Sequence, residues 1–138
     1  MSEQLDPWHD ASRLAARLAG DDALLILAIG AEQWCARCRA LRPAFDAIAA
    51  AAPDSETWLW LDIEDHTEFI GDYFPENLPV LLAYRGERVL LHRLIDDRAG
   101  PLDELLAAAR AWPAADGSAD PGIRRRLLVA DWAPAPQR

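Results

Sequence analysis

The run Ala23 to Ile29 (Ala-Leu-Leu-Ile-Leu-Ala-Ile) is apolar without a break, and Trp34-Cys35-Ala36-Arg37-Cys38 follows almost at once. Seven apolar residues without alternation suit a strand buried on both faces, as in a parallel sheet. Beyond the cysteines the period becomes helical. Cys38, Leu41, Phe45, Ile48 and Ala52 recur on one stripe, and Pro43 lies inside the pattern, where a kink is expected. The stripe turns Cys38 toward the core and leaves Cys35 off it, in an exposed first turn. A buried strand, two thiols and a helix in direct succession restrict the chain to layered α/β architectures.

The flanking segments extend this order. Asp6-Pro7 reads as a helix cap, with Trp8, Ala11, Leu14, Ala15 and Leu18 as the apolar face and Gly20 as the stop. Trp58 to Ile63 reads as a second central strand. His66 to Tyr73 reads as a short helix, ended by Gly71 or Pro75. Pro79 to Tyr84 and Arg88 to Leu94 read as a hairpin about the Arg85-Gly86-Glu87 turn. Gly100-Pro101 opens a last helix with Asp103 and Glu104 in its first turn and Leu102, Leu105, Leu106, Ala109 and Trp112 on its apolar face. The predicted order is α-β-α-β-α-β-β-α.

Charge and cysteine usage exclude several function classes. The formal net charge of −9 opposes a general nucleic-acid binder or an anionic membrane surface. No apolar run approaches the roughly 20 residues of a membrane helix. The acidic, polar start lacks a secretory signal pattern, so a cytoplasmic location is expected. In that compartment a Cys-x-x-Cys pair points to redox catalysis or metal binding rather than a structural staple. Zinc wants four ligands, and His9, His66 and His92 have no ligand spacing to the cysteines or to each other. No metal is expected. A Cys–His hydrolase would need a histidine beside Cys35, and none is local.

With these residues in view, the chain resembles the thioredoxin family over about residues 8–112. The resemblance rests on the apolar strand, Trp34-Cys35-x-x-Cys38, the basic Arg39, Pro43, the strand bearing Asp62, Leu78-Pro79 before an apolar strand, the Tyr84–Glu87 turn and the closing amphipathic helix. It implies a thioredoxin fold, a central mixed sheet flanked by helices, here without the first edge strand and with a C-terminal extension. It implies a cis Leu78–Pro79 bond beside the sulfurs. It also implies thiol–disulfide exchange with protein substrates, with Cys35 as nucleophile and Cys38 as resolving thiol. Trp34, Ala36, Arg37, Leu78 and Pro79 would form the substrate-contacting surface. The Cys35–Cys38 disulfide would itself be the redox centre, with no other cofactor. Thioredoxin reductase or glutathione would be the reductant.

Three departures from the family pattern carry expectations. Ala36-Arg37 replaces the usual Gly-Pro between the cysteines. Ile29 stands where the family has a buried aspartate, and Trp60 where it has a buried lysine. Both charges are gone together, which avoids a lone buried ion. A helix N-terminus, Arg37 and Arg39, opposed by Glu32, predict a Cys35 pKa below that of a free thiol, while Cys38 stays shielded. Trp58 and Trp60 read as core, and Asp62 as a strand-end surface acid.

Residues 113–138 differ in composition. Pro113 to Gly122 reads as a linker, Arg124 to Arg126 as a solvated face, and Ala133 to Pro136 as irregular. A sharper alternative has Ile123 to Trp132 folding back on the body, with a strand there covering the bare sheet edge, or docking on a partner or second copy. The function reading likewise keeps an alternative: a thioredoxin-fold binding or assembly factor, or a redox sensor, with little general reductase activity.

Overall fold

A computed structural model describes residues 5–6, 8–20, 23–53, 55–71, 75, 77–95, 101–111 and 120–128. Its elements are α1 (Ala11–Leu18), β1 (Leu24–Gly30), α2 (Ala36–Ala51), β2 (Glu56–Asp62), α3 (Thr67–Ile70), β3 (Val80–Arg85), β4 (Arg88–Leu94), α4 (Leu102–Ala111) and α5 (Ile123–Leu127). The expectations for Met1–Gln4, Pro7, Tyr73, Gly100, Trp112, Pro113–Ala119 and Val129–Pro136 lie outside the described residues.

The four strands form one mixed sheet in the order β2-β1-β3-β4. β1 runs parallel to β2, with Ala28 opposite Trp60 and Gly30 opposite Asp62. It runs antiparallel to β3, with Ile29 opposite Val80. The β3–β4 hairpin turns at Gly86, whose φ of 56° suits a residue without a Cβ. All seven residues of β1 are buried, as an unbroken apolar run in an interior position requires. α2 and α4 pack together, while α1, α3 and α5 form a second helical layer. The class is α/β, and the layout is consistent with a thioredoxin-like fold. No described helix is long and apolar enough to cross a membrane.

The sheet edge at β2 is covered from the N-terminal side. Leu5 N–H donates to the Trp58 carbonyl at 3.4 Å. Arg17 Nη2 donates to the Glu56 carbonyl at 2.8 Å, and its Nε to Thr57 Oγ1 at 3.0 Å. These donors satisfy edge acceptors that would otherwise invite pairing.

Ile123–Leu127 does return to the body, but as a helix against α1 and α3 rather than a strand at the edge. Ile123 and Leu127 are fully buried. The solvated-face reading of Arg124–Arg126 is corrected: only Arg125 is exposed. Arg124 is buried because its Nη2 donates to the Leu18 carbonyl at 2.7 Å, at the C-terminal end of α1, where carbonyls lack helical partners. Arg126 packs where a Cβ on Gly71 would sit, and its Nη1 donates to the Ile70 and Pro121 carbonyls. Asp120 anchors the approach to α5, accepting from the Tyr84 hydroxyl at 2.6 Å and from Gly122 N–H at 2.7 Å. Burial, then the Asp120 carboxylate, pushes the Tyr84 pKa far above its ordinary value.

Candidate active site

Cys35 and Cys38 are joined as a disulfide, with their Cα atoms 5.2 Å apart. Cys35 is the N-cap of α2 rather than part of its first turn, and its sulfur accepts the Cys38 N–H at 3.1 Å. A helix N-terminus leaves such N–H groups unsatisfied, so a sulfur there fills the capping role that oxygen usually takes. A thiolate would be the better acceptor, since hydrogen bonds to ionised groups are the stronger ones. The two sulfurs sit in unequal surroundings. Cys38 is fully buried, and Cys35 is half-buried against the Leu78 carbonyl rather than exposed.

The loop before Cys35 is clamped at one residue. Glu32 N–H donates to Asp62 Oδ2 at 3.0 Å, and the Glu32 carbonyl accepts from Arg39 Nη1 at 2.8 Å. Its carboxylate pairs with Arg42 Nη1 at 2.7 Å. Asp62 is therefore no surface acid. It is 7% exposed at the end of β2, and its other oxygen accepts the Glu64 N–H at 2.8 Å. Glu32, read as opposing Arg37 and Arg39, is instead neutralised by Arg42.

The Leu78–Pro79 peptide bond is cis and lies across from the disulfide. Two groups converge on the Leu78 carbonyl: Cys35 Sγ at 3.9 Å and Arg37 Nη1 at 3.5 Å. In the disulfide the sulfur has no proton to donate, so the first is a contact. The residues named from the sequence divide by exposure. Trp34 is 60% exposed, and Ala36 and Arg37 are exposed, whereas Leu78 and Pro79 are buried. The Pro79 carbonyl is taken by the Ile95 N–H at 2.9 Å.

The wall beside the Cys38 sulfur is the bare Gly30 backbone and the Trp60 indole. Ile29 is fully buried, and Trp60 is 5% exposed. Phe45 meets Trp60 edge-on at 5.6 Å, and the Arg42 guanidinium stacks 4.7 Å above the indole. Trp60 Nε1 is buried with no partner among the described residues. Gly30, which the sequence reading passed over, makes this packing possible. A Cβ there would lie 2.6 Å from Trp60 Cζ2 and 3.2 Å from Cys38 Sγ. An indole wall cannot swing away as a flexible chain end can. Gly30→Ala is therefore expected to cost about 1–3 kcal/mol by overpacking. Urea unfolding of the disulfide form measures it, and an unchanged midpoint would show that Trp60 and Cys38 are not in tight contact there.

A cleft of about 370 Å³ opens beside Trp60, walled by Glu32, Arg42, Asp46, Asp62 and His66 among others. Burial lowers the His66 pKa against the pull of nearby acids. Its Nδ1 also accepts the Asp62 N–H at 2.8 Å, a bond that protonation at Nδ1 would forfeit. No group of three or more potential metal-ligating side chains occurs among the described residues.

No protein-family model matches the chain, and no curated protein matches it. Among solved structures, it is similar to a chain of the crystal structure of a ferredoxin:thioredoxin reductase and thioredoxin f2 complex. The TM-score is 0.56 at 18% identity, covering 80% of this chain and 93% of that one. The likeness is one of fold.

Proposed function

We propose that the protein is a thiol–disulfide oxidoreductase acting on polypeptide partners, with Cys35 as nucleophile and Cys38 as resolving thiol. The observation that carries this reading is the asymmetry of the pair: Cys35 at the N-cap accepting an N–H, Cys38 sealed beneath it. In the reducing direction, the Cys35 thiolate attacks one sulfur of a partner disulfide. A mixed disulfide forms, and the partner's other sulfur leaves as a thiolate. Cys38 then loses its proton and attacks Cys35 Sγ, which closes the internal disulfide and frees the partner's second sulfur. Two electrons pass from the protein to the partner. The disulfide form present in the structure takes them back from an external dithiol or from glutathione. A reductase protein is a natural donor, and the fold's likeness to a chain in a reductase–thioredoxin complex supports a protein partner.

The substrate surface would be Trp34, Ala36, Arg37 and the Leu78–Pro79 segment, and the disulfide alone would serve as redox centre. Ile29 and the Trp60 wall stand where the family carries its buried acid and lysine, and the buried Asp62 carboxylate is engaged by the Glu32 and Glu64 N–H groups, so resolution goes through water or the leaving thiolate and is slow. The same apolar wall favours a second reading, a redox sensor or binding factor that cycles seldom. The test is reduction of a small protein disulfide with dithiothreitol as electron source. The wild type is expected to accelerate it, more slowly than an ordinary thioredoxin, and Cys35→Ser to remove the acceleration. Equal rates for the two proteins would refute the exchange reading and leave the second.

A further inference from the structure

The surroundings of the Cys35 sulfur carry a charge pattern that the whole chain does not. Arg37 is exposed, and among the described residues it makes no ion pair. Its one described hydrogen bond, to the Leu78 carbonyl, is 3.5 Å long. That exceeds the usual 2.7–3.2 Å of an N–H···O bond, so it yields readily to a competitor. Arg39 is also exposed; it uses Nη1 on the Glu32 carbonyl and likewise has no ion pair among the described residues. Arg42, by contrast, is held between Glu32 and Asp46. Two guanidinium groups without an ion pair among the described residues thus stand at the redox mouth of a chain with a formal net charge of −9. Trp34 adds an exposed indole one residue before Cys35.

We propose that this surface selects an acidic polypeptide segment: an extended stretch whose cysteine meets Cys35 while a neighbouring carboxylate pairs with Arg37. The proposal rests on the exchange reading above. As the segment approaches the Leu78 carbonyl, Arg37 is released from it and turns its fork to the carboxylate, a geometry that guanidinium matches with two parallel bonds. The overall negative charge does not cancel this attraction. Charges beyond roughly 8 Å are screened at physiological salt, while a carboxylate at contact distance is not. A partner carboxylate also meets the positive end of α2.

Two cystine peptides, identical except for glutamate or lysine flanks, test the selection, with uncharged hydroxyethyl disulfide as the reference for intact chemistry. Reduced wild type and Arg37→Glu are compared by single-turnover thiol loss. The expected result is an acidic-over-basic preference of about tenfold in the wild type, since rim charges act mainly on encounter rates. It should collapse in Arg37→Glu, and at about 1 M salt, where the screening length falls to roughly 3 Å. Equal wild-type rates, a faster basic peptide, or a ratio that Arg37→Glu leaves unchanged would overturn the charge selection with exchange intact. A ratio unchanged while all three rates fall together would assign Arg37 to the sulfur alone. If hydroxyethyl disulfide and both peptides leave the wild-type thiols untouched, the exchange reading falls and this inference with it.

Discussion

A Cys38→Ser variant is expected to accumulate a covalent mixed disulfide with a partner, and Cys35→Ser to accumulate none. The argument comes from access. Cys35 lies half-buried at the head of α2, beside an exposed Trp34, whereas Cys38 has no exposed surface. An incoming disulfide can therefore align with Cys35 Sγ and not with Cys38. Once the mixed disulfide forms, only Cys38 is placed to break it from inside. Its Cα is 5.2 Å from that of Cys35. Effective molarities for well-oriented neighbours of this kind reach about 10⁵ M or more, so removing Cys38 should lengthen the life of the intermediate by orders of magnitude. Mass spectrometry of each variant after reaction with a cystine peptide reads the adduct directly. Equal adducts on the two variants would dissolve the assignment of roles.

Leu127→Ala should be among the most damaging changes far from the sulfurs. Leu127 is 1% exposed, on the short helix α5 that lies against α1 and α3. Truncating a fully buried leucine costs about 2–5 kcal/mol. For a chain of this size that is a large share of the typical 5–15 kcal/mol of total stability. The loss is expected because α5 is secured at several points. Arg124 caps α1 at Leu18, Arg126 reaches the Ile70 carbonyl, and Asp120 holds the Tyr84 hydroxyl. Thermal unfolding should show one transition, moved to lower temperature. An unmoved transition, with residues beyond 120 lost to protease, would mean that the segment contributes nothing to the body.

What could be read from the sequence follows from how local each signal is. The burial of β1 and the inward face of Cys38 depend on period alone, so they were legible. The short helix was legible, but its pattern does not choose a stop between Gly71 and Pro75; it ends at Ile70, before Gly71 with its φ of 63°. Gly30 was not legible, because its need for a bare Cα comes from Trp60 and Cys38 meeting over it, one from the next strand and one from the helix. Asp62 looked like a surface acid because a strand-end carboxylate usually is one. Its burial depends on N–H groups of Glu32 and Glu64 arriving from two loops. The three successive arginines looked solvated because charge runs usually are. Arg124 is buried through a bond to a carbonyl 106 residues away, which no local pattern encodes. The edge of β2 was likewise read as bare, since the covering groups, Leu5 and Arg17, carry no strand signal.

The central claim is that Cys35 and Cys38 form a working redox couple. Its most direct test is equilibration of the protein with glutathione and dithiothreitol buffers, with the reduced fraction counted by thiol alkylation and mass. Ala36-Arg37 between the cysteines and the capping N–H on Cys35 both favour the reduced, thiolate-bearing form. The account predicts a single two-electron transition at a potential above roughly −270 mV, the value typical of thioredoxin. A disulfide that stays closed across the whole buffer range, or a midpoint at or below that value, would contradict it.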